Sequence, residues 1–173
     1  GLGDVYKRQL HEDGYGVLEK TSKNLEKYDI DKVYTSKLLR SQQTASMLGY
    51  DDYTIDPRLN ELDFGNFKGK LFEDLRKNEA QFFEEQKNDI FNVRYPGGES
   101  RSDLIKRTSD FLDDLVKKDE NALCISHCIA IKSTLFWILK DLEDWDSFWL
   151  DNGSITVFNI ENNKKLIEAI NIL

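Results

Sequence analysis

Apolar positions fall into short runs and helical stripes that alternate along the chain. Val17, Leu18 and Leu25 share one side of a polar stretch, and this spacing predicts an amphipathic helix over 12–28. Ile30 to Thr35 reads as a strand, and Ser36 stands where it would cap a helix running to about Leu48. Residues 51–56 suit a short strand closed by Pro57, and 71–86 a highly charged helix marked by Leu71, Phe72, Leu75, Phe82 and Phe83. Pro96-Gly97-Gly98 is a loop signal. The clearest helical stripe is Leu104, Ile105, Thr108, Phe111, Leu112, Leu115 and Val116, with Ser100 and Asp103 placed as a capping pair. Ala122 to Ser126 reads as a buried strand, His127 follows at once, and Cys128-Ile129-Ala130-Ile131 opens a helix to about Leu139. After a segment around Trp145 and Trp149, Ser154–Ile160 and Leu166–Ile170 read as strands joined by a Glu-Asn-Asn-Lys turn. There is no repeat and no linker. Strand–helix alternation predicts an α/β domain, a three-layer sandwich around a largely parallel sheet.

His127 is the first chemical signal in this pattern. A side chain at a strand-to-helix turn sits at the carboxyl edge of the sheet, where open α/β folds bind ligands. The N–H groups of the following helix start favour an anion at the same place. Taken alone, such a histidine is more often simply satisfied in its turn. Composition narrows the classes without choosing among them. The net charge of −8 argues against a nucleic-acid partner but leaves room for a small anion held by a few arginines. No apolar run reaches the length of a membrane span, so no membrane partner is expected. Cys124 and Cys128 match no zinc spacing and suit buried, reduced thiols in a cytoplasmic protein.

Four segments, in order, carry a resemblance. They are Ser36-Lys-Leu-Leu-Arg40-Ser-Gln-Gln43-Thr44-Ala45; Arg58-Leu-Asn-Glu61-Leu-Asp-Phe64-Gly65-Asn-Phe67-Lys-Gly69; Pro96-Gly97-Gly98-Glu99-Ser100; and Ser126-His127 with the later Asn152-Gly-Ser154-Ile155-Thr156. Each is weak alone. The ordered set resembles the histidine phosphatase superfamily, the phosphoglycerate mutase-like fold, from about Leu10 to the C-terminus. The resemblance implies a phosphatase that hydrolyses a small phosphomonoester through a phosphohistidine. It implies Arg40 as a phosphate-binding arginine, His127 as the second histidine, protonated beside a phosphate, and Glu61 as the general acid. Neither cofactor nor metal is implied, and the partner is a small phosphorylated metabolite. A mutase-type phosphoryl transferase and a catalytically dead phosphate-binding domain stay open as alternatives.

The chemistry of each residue suits its role. A guanidinium binds two phosphate oxygens at once. A carboxyl group acts as an acid near neutral pH only when its pKa is raised, for which Leu59, Leu62, Phe64 and Phe67 provide an apolar setting. Asp63 is the local competitor. Gly65 and Gly69 read as turn residues, Gly97-Gly98 as a pocket rim or a plain loop, and helix 71–86 as a lid or a solvated surface helix.

Two departures qualify the resemblance. The family's opening strand, which ends in Arg-His-Gly and bears the nucleophile, is not found in these residues. Residues 1–9 have no periodicity and read as a non-native leader, ahead of one domain over 10–173. Leu10-His11-Glu12-Asp13-Gly14 resembles the family's later Leu-Thr-Glu-x-Gly helix start instead. The chain as written is therefore expected to be inactive, a fragment of an active parent. Cys128 also stands where the family usually has glycine.

Overall fold

The computed structural model describes residues 14–140 and 143–173. The proposed leader at 1–9 and His11 lie outside the described residues. The described elements run α1 (Tyr15–Leu25), β1 (Lys32–Thr35), α2 (Leu39–Met47), β2 (Thr54–Ile55), α3 (Phe72–Asn78), α4 (Ala80–Asn88), α5 (Arg101–Val116), β3 (Ala122–Ile125), α6 (Cys128–Leu135), β4 (Ile155–Glu161) and β5 (Lys164–Ile172).

β1 lies between β2 and β3, all parallel, with Val33 opposite Leu123 and Thr35 opposite Ile125. The two-residue alternation of strand side chains then decides the layers. Val33 and Ile125 pack with Ala45 of α2 on one face. Tyr34, on the opposite face, packs with Phe111 of α5, and Ala122 and Cys124 lie against the same cluster. Helices thus cover both faces, as a parallel sheet requires. A larger core under α3 and α4 joins Leu62, Phe67, Leu75, Phe82, Tyr95, Leu104, Ala130, Phe136 and Trp145.

β4 and β5 form an antiparallel hairpin, so the parallel character predicted for the sheet holds for β1–β3 only. Its turn places Asn162 and Asn163 at φ of 50° and 62°, the paired left-handed conformation that tight hairpins favour and asparagine tolerates. Among the described residues, β3 pairs with β1 alone and β4 with β5 alone. One cleft is lined by residues 122–127 on one side, by 154–160 on the other, and by α1, α5 and α6.

Three local readings differ from the structure. The helix read over 71–86 is two helices broken at Glu79, whose φ of −124° and ψ of 35° are not helical. The break lets Phe72 meet Phe83 at 5.5 Å between ring centroids. Eleven residues apart on one straight helix, they would be separated by about 16 Å. Ser36 does not cap α2, which starts at Leu39 behind an N-cap residue, Leu38, that makes no side-chain bond. The Ser36 hydroxyl is engaged elsewhere, as described below. Cys128 is exposed instead of buried, while Cys124 is half-buried and its thiol is pushed up to about 12 by desolvation. The Ser100–Asp103 capping box forms as read.

Candidate active site

Because β1 and β3 are parallel neighbours, the residues that leave their carboxyl ends meet. Ser36 extends the ladder, donating its N–H to the Ile125 carbonyl at 3.1 Å. His127 is the N-cap residue of α6 but makes no cap bond with its ring, which turns back toward β1. There Nε2 lies 2.7 Å from Ser36 Oγ, and Nδ1 accepts from Arg40 Nε at 3.0 Å. Arg40 sits in the first turn of α2. The sheet register thus brings together two side chains 87 positions apart in the chain.

Glu61 completes the group. Asp56 caps the short turn Pro57–Leu59, and Ser126 Oγ donates to the Leu59 carbonyl at 2.7 Å, tying the loop to the end of β3. The Glu61 carboxylate then faces the start of α6. Oε1 accepts from Leu62 N at 2.9 Å and Ala130 N at 3.1 Å, and Oε2 from Ile129 N at 3.4 Å. Arg40, Glu61 and His127 line one cleft.

Electrostatics divides the groups. Desolvation by burial raises the pKa of Glu61, against the three N–H donors and the Arg40 charge, which favour the ionised form. Asp63, the competing carboxylate, is held below its usual range, first by Lys68 at 2.7 Å. It is 43 % exposed, so it stays ionised and suits no acid role. His127 is driven down to about 3 by burial first and then by the Arg40 and Arg107 charges. The sequence expectation of a protonated His127 referred to a neighbouring phosphate. In the structure the ring is neutral, because two guanidiniums and burial oppose a third positive charge.

Four further residues shape the site. Arg107 donates Nε and Nη2 to the two Glu99 carboxylate oxygens at 2.7 and 2.9 Å, Nη1 to the Arg58 carbonyl at 2.7 Å and Nη2 to the Glu61 carbonyl at 3.1 Å. Glu99 in turn accepts from Asp63 N at 3.0 Å. This planar fork fixes the loop that carries Glu61. Ser36 and Ser41 form a buried hydroxyl pair beside His127. Arg107 is one charged position among many on an amphipathic helix, and nothing in its spacing marks it. Glu99 did stand inside a quoted motif.

Gly65 and Gly98 have a packing role. A Cβ on Gly98 would lie 2.1 Å from the Asp63 carbonyl oxygen, and one on Gly65 would lie 2.2 Å from the Pro96 carbonyl oxygen. Backbone meets backbone, and the crossing is sealed by Glu99 N to Asp63 O and Asn66 N to Pro96 O, both at 2.8 Å. Gly98→Ala is therefore expected to lose about 3 kcal/mol of stability, since no flexible side chain can yield. Chemical denaturation measures the loss, and an unchanged midpoint would contradict the crossing.

Comparison with known proteins adds an independent finding. Residues 4–173 match the family described as histidine phosphatase superfamily (branch 1). The chain is 25% identical over 169 residues to phosphoserine phosphatase 1 of Hydrogenobacter thermophilus, covering 94% of this chain and 80% of that protein. It is 32% identical over 129 residues to fructose-2,6-bisphosphatase of Saccharomyces cerevisiae, which spans 75% of this chain but only 28% of the yeast protein. The fold is similar to that of the alpha-ribazole phosphatase from Shigella flexneri, with a TM-score of 0.83, 22% identity, and coverage of 98% of this chain and 87% of that one.

Proposed function

The chain belongs to the histidine phosphatase superfamily, and from that premise we propose that its site binds the phosphate of a small phosphomonoester for hydrolysis through a phosphohistidine. The observation that carries this reading is the meeting of Arg40, His127 and Glu61 in one cleft. Arg40 and His127 are the phosphate holders, and Glu61 is the acid, whose burial raises its pKa above the usual carboxylate range.

In the first step an imidazole nitrogen forms a bond to phosphorus. The bond to the leaving oxygen breaks, and Glu61 gives that oxygen its proton. In the second step the Glu61 carboxylate takes a proton from water, whose oxygen attacks phosphorus. The phosphorus–nitrogen bond then breaks and inorganic phosphate leaves. Arg40 and a protonated His127 stabilise charge on the transferring oxygens.

The 173 residues hold two histidines, His11 and His127, and no Arg-His-Gly. His127 takes the supporting position, and the nucleophile of the proposed reaction is assigned to an Arg-His-Gly histidine that this sequence does not contain. The chain as written is a phosphate binder without turnover, the second reading that this histidine count favours.

Titration with inorganic phosphate tests the site itself. Binding should weaken about 10- to 100-fold in Arg40→Met, the range for losing a charge-assisted hydrogen bond. Equal affinity in the two proteins would refute the assignment.

A further inference from the structure

Ser36 and Ser41 are buried polar residues, 0% and 2% exposed, that the proposed reaction does not use. Their bonds determine where every hydrogen in the cluster lies. Ser41 Oγ is 2.7 Å from the Leu38 carbonyl and 3.2 Å from the Ser36 carbonyl, groups that only accept. Ser41 therefore donates its single hydrogen there, and toward Ser36 Oγ, 2.7 Å away, it accepts. Ser36 thus donates to Ser41. Its two lone pairs remain, one for the Leu38 N–H at 3.1 Å and one for His127 Nε2 at 2.7 Å. Nε2 must then carry the hydrogen.

The opposite side of the ring gives the same answer independently. Arg40 Nε can only donate, and it donates to Nδ1 at 3.0 Å, so Nδ1 is bare. Two chains of bonds, one ending on backbone carbonyls and one on a permanent cation, specify a single neutral tautomer. Burial and the Arg40 and Arg107 charges favour the neutral ring in which such a tautomer exists.

We propose that Ser36, backed by Ser41, is a positioning residue that holds His127 as the Nε2–H tautomer and presents Nδ1 as the atom that takes up a proton from solvent and donates it to a bound phosphate. This rests on the reading of the cleft as a phosphate site. Among the described residues, the charges acting on the ring are Arg40 on α2 and Arg107 on α5, with Glu61 and Cys128 at the adjoining start of α6. A phosphate dianion draws Arg40 toward its oxygens and leaves Nδ1 facing negative charge, where protonation becomes favourable. Without the serine relay only Arg40 keeps the hydrogen off Nδ1, and a ring that has lost Arg40 as well can exchange tautomers.

Nitrogen-15 spectra of the imidazole in the 173-residue chain test this. In a His11→Gln background a single histidine remains to be read. The expected result at neutral pH is a protonated Nε2 and a bare Nδ1, with inorganic phosphate moving Nδ1 to the protonated position. Arg40→Met alone should keep the Nε2–H tautomer, held by the serines. Ser41→Ala suits a helix and removes the acceptor of the Ser36 hydrogen, so in the Arg40→Met background the ring should show averaged tautomers. Ser36→Ala should do the same in that background and, with Arg40 intact, weaken phosphate about tenfold, the worth of one hydrogen bond.

A bare Nε2 or averaged tautomers in the unaltered relay would overturn the proposal. So would folded Ser36→Ala and Ser41→Ala chains that keep the tautomer in the Arg40→Met background, or phosphate that binds without protonating Nδ1. If Ser36→Ala does not fold, Ser41→Ala and the unaltered chain decide. Phosphate that moves no signal, with the tautomer as stated, would refute the phosphate site and Nδ1's role while supporting the relay.

Discussion

An apolar strand ending in Arg-His-Gly, fused ahead of residue 10, turns this chain into a phosphomonoesterase, whereas the 173 residues alone show no turnover. The gain is expected to be on the order of 10⁶-fold, the scale on which enzymes lose rate when a covalent nucleophile is removed. A strand paired parallel to β3 would carry its last residues to the edge where Arg40, Glu61 and His127 stand. Activity is expected without added metal. It is read as release of phosphate from nitrophenyl phosphate and as an acid-labile phosphorylated histidine trapped by rapid quenching. Turnover by the unextended chain would overturn the assignment of the nucleophile, and so would an extended chain that folds, binds phosphate and stays inactive.

Glu61→Gln in the extended protein should slow alkyl phosphates by about 10²- to 10⁴-fold while slowing nitrophenyl phosphate far less. An alkoxide leaves only if it is protonated, whereas a nitrophenolate leaves unaided. The substitution is geometrically mild. Both short bonds, from Leu62 N and Ala130 N, fall on Oε1, and only the 3.4 Å contact from Ile129 N reaches Oε2. The amide oxygen can keep the first two. Stability should move the opposite way from rate. The Glu61 pKa is raised in the folded chain, so its contribution is fully present below its ordinary value of 4.5 and is lost as pH rises through the folded value. Above the folded value the buried carboxylate is a cost that glutamine removes. The melting gain of Glu61→Gln should therefore grow as pH rises, to a few degrees, and vanish in acid below that ordinary value. Equal rate losses on the two substrates would rule out the acid role, and a lower melting point at pH 7 would contradict the burial argument.

Much of the fold was legible because local rules acted without competition. The stripe from Leu104 to Val116 could only be a helix with one buried face, and Ser100 with Asp103 closed its start through bonds spanning three residues. The run before His127 was apolar because a parallel strand is covered on both faces. The ordered motifs marked Arg40, Glu61 and His127 before any geometry, through their resemblance to a family pattern, and the fold brings the three together. Other features depended on partners distant in the chain. The break at Glu79 lies within a stretch whose local preference is helical throughout, and it reflects the contact of Phe72 with Phe83. Ser36 looked like a helix cap because capping is what a serine before a helix does locally. Only the alignment of β1 with β3 put His127 Nε2 2.7 Å from its hydroxyl. Arg107 was one charge among many until α5 set it beside Glu99 and two loop carbonyls. The neutral state of His127 follows from the same assembly. The sequence by itself determined which chemical groups are present and which segments are helix or strand, because both are properties of single residues and near neighbours. Tertiary structure alone decided the partners of the His127 ring, the buried charge pairing and the crossing of Gly65 with Gly98, because each depends on distances that sheet register and loop packing set.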